Sequence, residues 1–147
     1  MAKFASGVYT PKNPNKYIGK GLPHYRSSWE LGFMVFLDNH PGIKQWVSES
    51  IYIPYKCPFT GKNKNYIPDF LIIYETKDGS KKAEIVEIKP EKETGLKKIN
   101  SQRNALIVAK NQAKWMAAKA YCDAQGLNFR VITENQLFGN GKKNDKN

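Results

Sequence analysis

Apolar and polar residues fall into blocks that predict the order helix, three strands, helix, strand. From Ser27 to Asn39 the side chains of Trp29, Leu31, Phe33, Met34, Val35, Phe36 and Leu37 are apolar on more than one side, as in a short buried helix. Ser27 is a natural N-cap, Glu30 follows at capping-box spacing, and Pro41-Gly42 ends the element. Lys44 to Tyr55 alternates apolar and polar residues from Trp46 onward and predicts a strand with Pro54 near its end. Lys56 to Asn65 is turn-rich, carries three lysines and predicts a loop. Tyr66 to Glu75 and Lys82 to Lys89 are more continuously apolar, as central strands are, and Asp78-Gly79 between them predicts a tight turn. After a polar break over 91–95, the spacing predicts a long helix from about Ile99 to Ala124. Ala105, Ala109, Ala113, Met116, Ala117 and Ala120 form its expected packing face, and Gly126 its stop. Leu127 to Thr133 predicts the last strand. An α-β-β-β-α-β order implies an α/β fold, a small mixed sheet flanked by helices, with a right-handed crossover into the final strand.

A chain of 147 residues suits one domain with a real core. Residues 1–25, rich in Lys, Pro, Gly, Asn and Tyr, predict a basic extended arm rather than a packed element; residues 26–138 carry the domain, and 139–147 read as a disordered polar tail. Charge sharpens the picture. Twenty-four Lys+Arg against thirteen Asp+Glu leave a net +11, which points to a polyanionic partner such as nucleic acid. No apolar run reaches the ~18–20 residues that span a bilayer, so no membrane is expected as partner. The N-terminus lacks the apolar stretch of a secretory signal. Cys57 and Cys122 lie far apart with no CxxC partner, which argues against a zinc site or a disulfide framework.

The candidate chemistry sits on the central hairpin. Glu87 and Lys89 are two residues apart on a strand and share a face. Antiparallel pairing across Asp78-Gly79 brings Asp69, at the start of the neighbouring strand, beside them. Two facing carboxylates repel unless a cation joins them, and hard oxygen ligands select Mg²⁺, with Mn²⁺ as a substitute. A lysine beside a water acidified by that ion can orient or deprotonate it and can neutralise charge developing on a phosphate.

Pro68-Asp69, followed after seventeen residues by Glu87-Ile88-Lys89, resembles the PD-(D/E)xK nuclease superfamily with its restriction-endonuclease-like fold. The segments YRSSWEL (25–31), YIPDFLI (66–72), IVEIKP (85–90), NQAKWMAAKAYCDAQG (111–126) and FRVITE (129–134) follow one another as in TnsA-type transposon endonucleases. Over residues 3–143 the chain is similar to the small head-completion nucleases of T-even-like tailed phages. The resemblance implies a Mg²⁺-dependent DNA endonuclease in which Glu30 completes the metal site with Asp69 and Glu87, and Lys89 is the catalytic lysine. The spacing from Ser27 gives Glu30 a second reading, as a helix cap. The resemblance also implies Gln112 and Lys114 as auxiliary polar residues, phage portal or neck proteins as partners, and action in the infected host's cytoplasm or on the virion.

Charge distribution adds double-stranded DNA contacts: Lys16 and Lys20 in the arm, Arg26 just after it, Lys62 and Lys64 in the loop, and Lys97, Lys98 and Arg103 around the start of the long helix. Lysine far outnumbers arginine, which suits phosphate contact better than bidentate base reading and predicts low sequence specificity. His24 and His40 lack a ligand pattern; Trp29, Trp46 and Trp115 read as core. Two other functions use the same scaffold: a junction-resolving nuclease, and a non-catalytic neck or portal protein. The intact Asp69, Glu87 and Lys89 set argues against the second.

Overall fold

The structure is a computed structural model that describes residues 6–95 and 101–139. In chain order its elements are β1 (Gly7–Val8), β2 (His24–Tyr25), α1 (Ser28–Asn39), β3 (Ile43–Ser48), β4 (Ile53–Lys56), β5 (Asn63–Tyr66), β6 (Phe70–Glu75), β7 (Lys81–Ile88), α2 (Gln102–Gln125) and β8 (Asn128–Ile132). A π-helical turn, Asn135–Gly139, follows β8. Four strands form a mixed sheet in the order β3-β6-β7-β8, antiparallel except for the β7–β8 pair that α2 connects. This is the small mixed sheet flanked by helices of a restriction-endonuclease-like fold.

Two-residue periodicity divides the core. Phe70, Ile72, Val86, Ile88 and Ile132 turn to one face and pack with Phe33, Met34 and Leu37 of α1. Ile85 and Leu71 turn to the other face, where they meet Ala118 and Cys122 of α2 and Ile53, Tyr55 and Tyr66 of β4 and β5. The β6–β7 turn is fixed by Asp78, whose carboxylate accepts from Ser80 N (3.0 Å) and Ser80 Oγ (2.7 Å), and by Gly79 at φ 88.

The sequence-based reading needs four corrections. The strand expected over Lys44 to Tyr55 is two strands in two sheets. Glu49, at φ 49, takes a left-handed turn after β3, and the apolar alternation resumes in β4. The expected loop Lys56 to Asn65 contains most of β5, which pairs with β4 in a separate hairpin from Ile53↔Tyr66 to Lys56↔Asn63. Third, residues 7–25 are packed. Asp38, in the last turn of α1, is fully buried and accepts from Tyr9 Oη (2.5 Å), Lys12 N (2.7 Å) and Asn13 N (3.0 Å). Tyr17 sets its ring edge against Trp46 at 4.6 Å, and Ile18 N donates to Trp46 O (3.0 Å). A buried aspartate needs donors, and the N-terminal segment supplies them. Last, α2 buries Val108, Asn111, Ala118 and Cys122; of the expected stripe Ala113 and Ala117 pack half-buried against that core, whereas Ala120 is exposed and Met116 is 75% exposed.

Helix α2 starts at Gln102 behind the N-cap Ser101, and Gly126 closes it in the left-handed conformation at φ 76. Residues 99–100 of the expected helix lie outside the described residues. So does the expected polar tail, except Gly139 in the closing turn.

Candidate active site

Glu87 follows Ile85 on the α2 face of β7, at the end where β6 begins. Phe70 pairs with Val86, so Asp69 falls opposite Glu87 one step further on. The backbone locks both. Asp69 N donates to Glu87 Oε1 (3.2 Å), and Ile88 N donates to Asp69 Oδ2 (2.8 Å). The chain then continues the β7–β8 ladder, with Lys89 N donating to Ile132 O (3.0 Å). Lys89 Nζ stands 3.8 Å from Glu87 Oε2.

Tyr66, the last residue of β5, is a participant without a sequence signature. It is 3% exposed, and its hydroxyl donates to Glu87 Oε1 at 2.8 Å. Oε1 thus accepts two hydrogen bonds, and Oε2 is the oxygen turned towards Lys89. Burial and the charge of Glu87 raise the Tyr66 phenol far above its usual value, so it stays a neutral donor.

Electrostatics mark the pair as costly. Burial, then the charges of Glu87 and Glu30, push Asp69 well above the usual carboxylate range, against the Ile88 N–H and Lys89. Burial raises Glu87 too, outweighing Lys89 and the donors from Tyr66 and Asp69. A divalent cation would relieve both. Hard carboxylate oxygens that repel each other in a buried corner fit Mg²⁺ or Mn²⁺.

Glu30 is a neighbour with a prior engagement. Its N–H donates to Ser27 Oγ (3.2 Å), and its Oε1 accepts from Arg26 N (2.9 Å), so it works as a capping glutamate. Burial raises its carboxyl, and the charge of Glu49 adds to this. Among the described residues no three Asp, Glu, His or Cys side chains stand ready-made around one metal position, and Glu30 is near enough for its charge to raise Asp69. Glu49 was also missed in the sequence, because a non-glycine residue at positive φ has no signature. Its N–H donates to Asp69 O (3.0 Å), and its carboxylate holds Arg26 Nε (2.9 Å).

The auxiliary candidates separate. Lys114 lies 5.8 Å from the centre of the Tyr66 ring, and burial, with the charge of Lys89, lowers its amine against the pull of Glu87 and Asp69. Gln112 instead donates to Thr94 O (3.1 Å) and ties α2 to the preceding turn. Among the expected DNA contacts, Lys16 is spent on Asp38 O and His40 O (2.9 Å each), and Arg26 is paired with Glu49. Lys20, Lys62, Lys64 and Arg103 are exposed. Lys97 and Lys98 lie outside the described residues. An apolar groove lined by Trp29, Phe33, Phe36, Ile132 and Leu137 lies on the α1 side and offers no paired acids.

The family description "TnsA-like endonuclease N terminal" matches residues 40–134 of the chain. The head completion nuclease of Enterobacteria phage T4 is 36% identical over 149 residues, and the match covers 94% of this chain and 97% of that protein.

Proposed function

Because this chain belongs to the TnsA-like endonuclease family, we propose that it is a Mg²⁺-dependent DNA endonuclease of low sequence specificity that acts in phage head completion after DNA packaging. The observation that carries this reading is the buried Asp69–Glu87 pair with Lys89 Nζ beside it. Asp69 and Glu87 hold the ion, Mn²⁺ can replace Mg²⁺, and Glu30 stands by as a nearby acid that shares the charge of the site. When bound, the ion supplies charge neutralisation at the phosphate and a more acidic water.

The side chains do the rest. Glu87, held through Oε1 by Tyr66 and Asp69 N, presents Oε2. Lys89, 29% exposed at its side chain, reaches from the buried carboxylates towards solvent, where it orients the attacking water and offset charge on the phosphate falls to its ammonium. Lys114 adds a second positive charge at the inner wall.

Low specificity is supported by the arginines. Arg26 and Arg130 are engaged by Glu49 and Glu84, which leaves Arg103 and the more numerous exposed lysines as the phosphate contacts. Binding then depends strongly on salt. The name of the phage T4 relative, a head completion nuclease, supports a role in head completion; on this reading the substrate is packaged double-stranded DNA, the partners are portal or neck proteins, and the place is the infected host's cytoplasm or the virion. No helix among the described residues is long and apolar enough to cross a membrane.

The deciding experiment incubates the protein with supercoiled, linear and branched DNA in Mg²⁺, beside Lys89→Ala and Asp69→Ala. Metal-dependent cutting by the unaltered protein, lost by about 100-fold or more in each variant, supports the reading. Equal cutting by the Asp69→Ala protein overturns it.

A further inference from the structure

Apart from Tyr66 at its base, the β4–β5 hairpin has a built form that the carboxylate site does not use. One face is buried through Ile53, Tyr55 and Tyr66 against α2. The other shows Pro54, Lys56, Asn63 and Asn65 to solvent. The turn at its end is closed on itself: Cys57 N donates to Lys62 O (2.9 Å), Gly61 N to Cys57 O (2.9 Å) and Lys62 N to Thr60 Oγ1 (3.2 Å). Gly61 takes φ 71 there. The N–H groups of Phe59 and Thr60 and the Thr60 hydroxyl also point at the Cys57 sulfur and lower its thiol to about 7. On this rigid turn Phe59 stands 53% exposed.

The segment 51–68 holds Lys56, Lys62 and Lys64 and no acid. All three lysines are exposed, and none is in an ion pair among the described residues. The hairpin therefore attracts a polyanion through its charge, while its tip presents an apolar ring. A continuous paired duplex offers phosphates to the lysines but no open base face to the ring. An unpaired base offers both, because stacking on an aromatic side chain tolerates any base.

We propose that the β4–β5 hairpin selects DNA carrying an unpaired base, with Phe59 stacked on that base, Lys56 and Lys62 near the tip on the flanking phosphates, and Lys64 adding charge from the opposite edge. This deepens the DNA-cleaving reading and rests on it. It also fixes where the cut falls. The hairpin runs from its tip back to Tyr66, whose hydroxyl touches Glu87. Four paired residues per strand at ~3.3 Å each, plus the turn, place Phe59 about 15–20 Å from the carboxylates. At ~3.4 Å per nucleotide along a strand, the cut lies about five nucleotides from the open base.

The test measures binding in EDTA, so that no cutting intervenes. Two duplexes of one sequence are compared, one blunt and one forked, with 2-aminopurine in the unpaired arm of the fork. The protein is expected to bind the fork about tenfold tighter than the blunt duplex and to change the 2-aminopurine emission. Phe59→Ala should remove both effects and leave blunt-duplex binding within about twofold, and Phe59→Trp should retain both. A fork preference unchanged in Phe59→Ala, or equal binding of both duplexes by the unaltered protein, overturns the proposal. Fork-selective binding through Phe59 without any cutting in Mg²⁺ supports the hairpin's role and overturns the nuclease reading alone.

Discussion

Asp38→Asn is expected to weaken the whole fold and to free its N-terminal segment first. The buried carboxylate accepts from Tyr9, Lys12 and Asn13, the last two through backbone N–H groups that have nowhere else to go. Hydrogen bonds to a charged acceptor are worth ~1.5–3 kcal/mol against ~0.5–1.5 for neutral ones. Three such bonds lose about 3 kcal/mol when the charge goes, and the easier burial of an amide returns about 1 of it. A net loss of about 2 kcal/mol corresponds to a fall in Tm of about 4–8 °C for a chain of this length. The assay is urea unfolding of both proteins, with the m-value checked for constancy, beside hydrogen exchange at Tyr9 to Lys16. Burial alone would raise the Asp38 carboxyl, but Tyr9, Lys12 and Asn13 outweigh it and hold it below the usual value. The contribution is therefore present above the unfolded value of ~3.9 and lost as pH falls through the folded one, so the two proteins should converge in strong acid. A difference below about 0.5 kcal/mol at neutral pH would refute the view that Asp38 anchors residues 7–25.

Asp69→Asn should do the opposite in metal-free buffer. The folded carboxyl of Asp69 is raised, so the native state holds a proton that the unfolded chain has released, and stability falls as pH rises above the ordinary carboxylate range. The amide removes that fall and stabilises the chelated protein at pH 7 by about 1 kcal/mol; a lower Tm would count against it. Tyr66→Phe should weaken Mn²⁺ binding about tenfold in calorimetry at unchanged fold, since it leaves Oε1 of Glu87 held by Asp69 N alone. Identical affinities would assign the phenol to packing. Gly126→Ala should cost about 1 kcal/mol from the left-handed backbone alone, because nothing lies within 4 Å of the added methyl. A loss above about 3 kcal/mol would show that the site is crowded after all.

The central hairpin was legible because its signals agree. Asp78-Gly79 demands a turn, both flanking runs are apolar enough to be central strands, and their register carries Asp69 to Glu87. The long helix was legible too, from Gly126, although its buried face was so only in part, at Ala113 and Ala117. Alanine spacing alone does not tell which stripe meets the sheet, and Asn111, tied to Glu93 O (3.0 Å), occupies a buried position that polarity argues against. The β3–β4 corner was hidden because apolar alternation runs through it unbroken. Strand β5 was hidden because Asn63, Lys64 and Asn65 read as loop. Its outer face is exposed and its partner β4 is the only neighbour it needs. Asp38 was invisible for a different reason. An aspartate in the last turn of a helix opposes the dipole and looks like a solvent-facing residue, and only the returning N-terminal chain explains it.

The carboxylates that repel most are also close in the chain. Asp69 and Glu87 are 18 residues apart, on adjacent strands of one hairpin. A hairpin of this kind closes within ~1–10 μs. The charges therefore meet first in water, where their repulsion is small. They are dehydrated only when the second helix, far down the chain, settles over that face. If that docking limits the rate, its electrostatic cost slows refolding, and refolding should quicken in mild acid or in Mg²⁺.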